Sequence, residues 1–126
     1  MPNVLLVMLG GAVGAGLRYE VGRAALRHIG AGFPWGTLIV NLAGSLLIGV
    51  LAGVLLGEGY QSRGAWLLLA VGVLGGFTTF SAFSLDIFAM LERGQAAGAG
   101  LYVAASVMGG LGLLALGYWA ARAAAA

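Results

Sequence analysis

Four predominantly apolar stretches, at residues 3–26, 37–56, 65–91 and 99–121, leave this chain of 126 residues very few ways to fold. Each is long enough, at about 1.5 Å per helical residue, to cross a bilayer core about 30 Å thick. None shows the period-2 alternation of a barrel strand, so helices rather than strands are expected. The separators carry the punctuation: Gly30, Gly32 and Pro34, then Gly57, Gly59 and Gly64, then Arg93 and Gly94. With 61% hydrophobic and 8% charged residues, a water-soluble fold of this size would expose far too much apolar surface. Disorder is excluded as well, because disordered chains are polar and charge-rich. The expected fold is an all-α membrane protein, one four-helix transmembrane domain over residues 1–126. The stretch Met1-Pro2-Asn3 lacks a basic region, so no cleavable signal peptide is expected.

Several chemistries are absent. There is no cysteine, and the single His28 cannot build a metal cluster alone. No nucleophile–base pair, P-loop or dinucleotide-binding glycine pattern occurs, so the chain reads as no enzyme. Six scattered arginines and a net charge of +2 are too few for a nucleic-acid surface and read as membrane-flank residues. With four spans, Arg63 and Arg122 lie on one side and Arg23, Arg27 and Arg93 on the other. This near balance permits insertion in both orientations, and hence an antiparallel homodimer. A single arginine sufficing to orient the chain is an equally good account. Among 24 glycines, Gly10 with Gly14, Gly49 with Gly53, and Gly72 with Gly76 form small-xxx-small pairs suited to close helix packing, without specifying a partner.

A few polar residues interrupt the apolar spans. Arg18 follows about fifteen apolar and small residues; it either draws anions towards the protein or snorkels to the headgroups, paired with Glu20. Asn41, early in the second span, can bind an anion or lock two helices together, since its amide both donates and accepts. The third span holds the segment Gly72-Val-Leu-Gly-Gly-Phe-Thr-Thr-Phe-Ser-Ala-Phe-Ser84. Adjacent glycines and β-branched threonines weaken a continuous helix, so a break at mid-membrane is expected there. Carbonyls freed by it would suit a weakly held Na+. Phe77, Phe80 and Phe83 recur at i, i+3 spacing and can turn their positive ring edges to an anion, with Thr79, Ser81 and Ser84 as hydroxyl donors. The alternative is a packed aromatic stripe with each hydroxyl bonded back to the carbonyl four residues earlier. In the fourth span Tyr102 and Ser106 share a helix face, as a polar track or a helix contact.

Three motifs, each in a separate span, make the whole chain resemble the Fluc (CrcB) fluoride channels of bacteria. They are Gly10-Gly-Ala-Val-Gly-Ala-Gly-Leu-Arg-Tyr19, Gly36-Thr-Leu-Ile-Val-Asn41 with Gly44, and Gly75-Gly-Phe-Thr-Thr-Phe-Ser-Ala-Phe83. The resemblance implies four helices per subunit, the third broken, in an antiparallel dual-topology homodimer with two pores in the bacterial inner membrane. It implies that the main-chain carbonyls of Gly75 and Thr78 hold a structural Na+ that is not transported. Phe80 and Phe83 resemble the phenylalanines lining the fluoride path, Asn41 the pore asparagine, and Arg18 the arginine of the vestibule. Tyr102 and Ser106 resemble the polar track of the fourth helix. Ala82 departs from the pattern, since many relatives carry threonine there.

The function this resemblance implies is a fluoride-selective channel through which cytoplasmic fluoride leaves passively. The runner-up is a small dual-topology multidrug or cation exporter, but such a carrier needs an acid in mid-span one and this chain has none. A purely structural membrane protein is a third class. It gives no reason for a helix break at mid-membrane.

Overall fold

In lipid, a spanning backbone must satisfy its own hydrogen bonds, and runs this apolar do so as helices. The structure is a computed structural model and describes residues 2–55 and 59–125; among them there is no strand. Helix α1 spans Asn3–His28 and α2 spans Trp35–Val54. A short 3₁₀ turn at Tyr60–Ser62 leads into a π-helix over Trp66–Leu74, followed directly by one α-helical turn, α3, at Gly75–Phe77. Helices α4, at Ser81–Glu92, and α5, at Ala96–Ala125, complete the chain. The expected end of the second span at Leu56, and Gly57 of the following separator, lie outside the described residues.

The ends follow from local chemistry. Pro34 precedes the first turn of α2, where its missing N–H costs nothing. Gly94, at φ 74°, stops α4: its N–H bonds the Leu91 carbonyl and that of Gln95 bonds Met90. Only a residue at ease with positive φ closes such a turn. In the third span, Trp66–Glu92, the backbone leaves helical angles at Thr78 (φ −89°, ψ 161°) and regains α-helix at Ser81.

Glycine sets which helices touch. A Cβ on Gly10 would lie 2.9 Å from the Cα of Gly72, and the converse holds for Gly72, so α1 and the π-helix meet backbone to backbone. Such contact yields dispersion energy that larger side chains would forbid in lipid. Helices α2 and α5 pack in parallel: Ser45 faces Gly110, Gly49 faces Leu114 and Gly53 faces Tyr118, each pair four residues beyond the last. The glycine pairs of the sequence therefore act within the chain. A small core of Leu38, Phe83, Met90, Ala99 and Tyr102 joins the two halves.

Much of the exterior is apolar. In the most apolar window of each span only 11–28% of residues are buried, and Leu101, Met108 and Leu111 are largely exposed. That surface is stable against acyl chains and not against water. The chain is a multi-pass membrane protein with four helices able to span a bilayer.

Close packing at Gly72 yields a test. Gly72→Ala destabilises reversible unfolding in mixed micelles by about 1–3 kcal/mol, because the new methyl meets backbone that cannot yield. At Gly16 a Cβ meets nothing within 4 Å. Gly16→Ala is expected to be neutral or stabilising by up to about 1 kcal/mol. Equal effects at both positions would contradict the packing described.

Candidate functional site

Three side chains bond the backbone where the third span leaves helical angles at Thr78. Asn41 of α2 accepts a hydrogen bond from the Thr79 N–H (2.8 Å) and donates one from Nδ2 to the Thr79 carbonyl (3.0 Å). The Ala82 N–H bonds Thr79 Oγ1 at 3.1 Å, so the threonine hydroxyl serves as a helix cap at the start of α4. In an uninterrupted α-helix the Thr79 and Ala82 N–H groups would bond the carbonyls of Gly75 and Thr78, each four residues back. Here both are taken by side chains. The Gly76 carbonyl receives Arg18 Nε at 3.0 Å in place of the helical N–H of Phe80. The two carbonyls thus deprived, Gly75 and Thr78, are the pair that the sequence resemblance links to Na+.

Asn41, Gly75, Thr78, Thr79, Phe80, Phe83 and Ser106 line one open cleft of about 490 Å³ between α2, α5 and the third span. Glycine makes room for it at Gly44, where a Cβ would collide with the methyl of Thr78. Phe83 is buried and its ring lies 5.1 Å from that of Tyr102, whereas Phe80 is 78% exposed, 5.8 Å from Phe83. Ser106 Oγ is buried and lacks a hydrogen-bond partner among the described residues. A buried hydroxyl without a partner carries a cost that a bound ion or water would remove. Asn41 keeps one amide hydrogen beyond those used on Thr79, since the group has two.

The hydroxyls of the third span divide. Thr78 Oγ1 bonds the Leu74 carbonyl at 2.9 Å and Ser84 Oγ the Phe80 carbonyl at 3.0 Å, the backward bonds expected of a plain helix. Thr79 and Ser81 do not follow it; their hydroxyls lie 3.4 Å apart at the entrance to α4. Arg18 and Tyr102 stand outside the cleft. Arg18 is half-buried in a separate recess with Thr37 and Thr79, while Glu20 pairs with Arg23 at 3.7 Å rather than with Arg18. Tyr102, with no exposed surface, donates its hydroxyl hydrogen to Asp86 Oδ2 at 2.9 Å and has Thr37 as a further polar neighbour.

Asp86 and Thr37 join the site without a motif that marks them as site residues. A lone acid in the last third of an apolar span is the signal for Asp86, because a carboxylate there needs a partner. Thr37, at the start of α2, carries no local signal; only the packing of α2 on α5 brings it to Tyr102.

A family model described as CrcB-like protein, Camphor Resistance (CrcB), matches residues 5–118. A protein of Hyphomonas neptunium named fluoride-specific ion channel FluC is 56% identical over 124 residues, 97% of each chain. Proteins of the same name from Sphingopyxis alaskensis and Chelativorans sp. are 53% and 52% identical, over 88% of both chains and over 97% and 98% respectively.

The amide bonds across the interruption are testable without reference to any activity. Asn41→Leu leaves the Thr79 N–H without its acceptor, a cost of about 1–3 kcal/mol for a buried group. Exchange of the Thr79 amide with solvent deuterium is expected to quicken by at least roughly tenfold, while amides in the middle of α4 keep their protection. Thr79→Val should do the same at Ala82. Unchanged exchange at both amides would mean that neither side chain holds the interruption.

Proposed function

The chain belongs to the CrcB-like (Camphor Resistance, CrcB) family, and on that premise we propose that it is a fluoride-selective ion channel through which cytoplasmic fluoride leaves the cell. Its relatives are named as ion channels, so its activity is conduction and not catalysis. One observation carries the reading: the diversion of the Thr79 and Ala82 amides opens a helix beside a cleft that also holds Asn41, Phe80, Phe83 and Ser106. Non-helical backbone is tolerated at membrane depth only where it is buried or lines a cavity. In a channel of this kind the interruption would lie at mid-membrane.

Fluoride is small and strongly hydrated, so a selective path must replace its water with donors held in position. The free amide hydrogen of Asn41 and the unpartnered hydroxyl of Ser106 are such donors. Thr79 and Ser81 supply hydroxyls at the start of α4, and Phe80 and Phe83 turn ring edges, the positive rim of the quadrupole, toward the ion. Tyr102 contributes differently. Its only hydroxyl hydrogen goes to Asp86, so it acts as a ring wall against Phe83 and not as a donor. Arg18, bonded to the Gly76 carbonyl, steadies the interruption and brings positive charge to the vestibule.

The same diversion fits a structural Na+. Two main-chain carbonyls relieved of their helical donors, with no carboxylate in the cleft, match a hard monovalent cation held by neutral oxygens. The carbonyls of Gly75 and Thr78 would hold it, and its positive charge would fix the interruption in place. A second, antiparallel copy of the chain would supply the other half of this cation site and cover Phe80. Arginines in near balance on the two sides permit the dual insertion that this requires. The inner membrane of a bacterium is the corresponding location.

The test is fluoride efflux from liposomes carrying the purified protein, read with a fluoride electrode after valinomycin sets a K+ diffusion potential. Voltage-driven fluoride release with chloride retained is expected. Phe80→Ile and Asn41→Asp should each lower it by at least roughly tenfold, the worth of one lost ion contact, with the dimer intact on size exclusion. Intact wild-type protein that releases no fluoride would defeat the channel reading; normal flux in both variants would defeat the assigned path.

A further inference from the structure

The cleft contains one hydroxyl that neither the motifs nor the resemblance singles out, that of Ser45. It stands one helical turn beyond Asn41, and so on the same face of α2. On α5, Tyr102, Ser106 and Gly110 form the matching row at the same spacing. The parallel register seen at Gly49 with Leu114 and Gly53 with Tyr118 sets these rows side by side. Thr37 neighbours Tyr102, Asn41 stands level with Ser106, and Ser45 faces Gly110. The first two rungs carry polar groups from both helices. On the third, α5 has only a hydrogen, and Ser45 Oγ lies 3.3 Å from where a Cβ at 110 would be. Beyond it the contact closes through Gly49 and Gly53, whose nearest partners are backbone atoms.

From this register we infer that Ser45 is a further ion-contacting residue of the pathway, supplying from α2 the hydroxyl that α5 lacks at Gly110. The inference rests on the fluoride-channel reading and extends its path by one rung past Asn41 and Ser106. A serine between two packed helices has a competing use, as a helix contact. Two observations favour the ion. Ser45 faces Gly110 and also lines the open cleft, which a hydroxyl enclosed wholly between the helices would not do. The next rung of the same cleft already holds a buried hydroxyl without a partner, Ser106 Oγ. Donors in such a row hand a dehydrated anion from one to the next, and a gap of one rung would leave it without a partner.

The experiment compares Ser45→Ala, Gly110→Ser and the double variant Ser45→Ala/Gly110→Ser in the liposome efflux assay, with thermal unfolding of each in detergent. Wild-type efflux is measured first; its absence would be a failure of the channel reading and is distinguished from everything that follows. With wild type active, Ser45→Ala is expected to lower fluoride flux by roughly tenfold, the worth of one hydrogen bond to a charged partner, with no fall in melting temperature. Removing Ser45 Oγ also clears the atom nearest to a Cβ at 110. The double variant therefore returns a hydroxyl to the same place from the other helix, and flux is expected to recover to within about threefold of wild type, the context spread of one such contact. Wild-type flux in Ser45→Ala would overturn the inference. So would a loss that tracks a lowered melting temperature, or one that the serine at 110 fails to restore in a folded protein, because either assigns Ser45 to packing.

Discussion

The two-way hydrogen bond between the Asn41 amide and the peptide group of Thr79 is the interaction on which the remaining site geometry depends. A helix interrupted inside a bilayer must find partners for its freed N–H and C=O groups, and water is scarce there. One asparagine meets both needs of a single residue, because its amide has the same donor and acceptor as a peptide. Thr79 then uses its own hydroxyl on the Ala82 N–H, and Arg18 takes the Gly76 carbonyl. Three side chains thus replace the missing helical bonds. The polar cost of the break is offset without reclosing the helix over the Gly75 and Thr78 carbonyls.

Glycine has a separate part in the same arrangement. The contact of Gly10 with Gly72 draws α1 against the π-helix, which brings Arg18 within reach of Gly76. The row of Gly49, Gly53 and Gly117 draws α2 against α5, setting Asn41 level with Ser106. Gly44 leaves space for Thr78 against α2. In lipid there is little hydrophobic drive between helices, so such close backbone contact decides register, and register decides which polar groups meet.

Within a bundle this small, polar groups fall into two kinds. Some are fully committed inside the protein: the Tyr102 hydroxyl to Asp86, and Thr78 and Ser84 to their own helix. Others keep capacity on the cleft side, namely the second amide hydrogen of Asn41 and the hydroxyl of Ser106. Residues of one chemical type therefore do different work. The hydroxyl of Tyr102 holds an acid in the span, and its ring supports Phe83.

How much could be read in advance follows from the range of the forces. Four helices, their membrane setting, the stop at Gly94 and the weakness of a helix through Gly75-Gly-Phe-Thr-Thr79 are consequences of neighbouring residues. Hydropathy, φ preference and helix propensity act over a few positions, so the residues around each feature suffice to fix it. The polar cast of the site was also legible, because polar side chains are rare in these spans. Which of them bond which was not. Asn41 meets Thr79 across 38 positions and Arg18 meets Gly76 across 58, and no local periodicity encodes either pair. The pairing of Asp86 with Tyr102, the place of Thr37, and the hydroxyl of Ser45 over Gly110 were likewise decided only in the tertiary structure. The register of one helix on another arises from the sum of many glycine and methyl contacts along its length, and that sum exists only once the helices are packed.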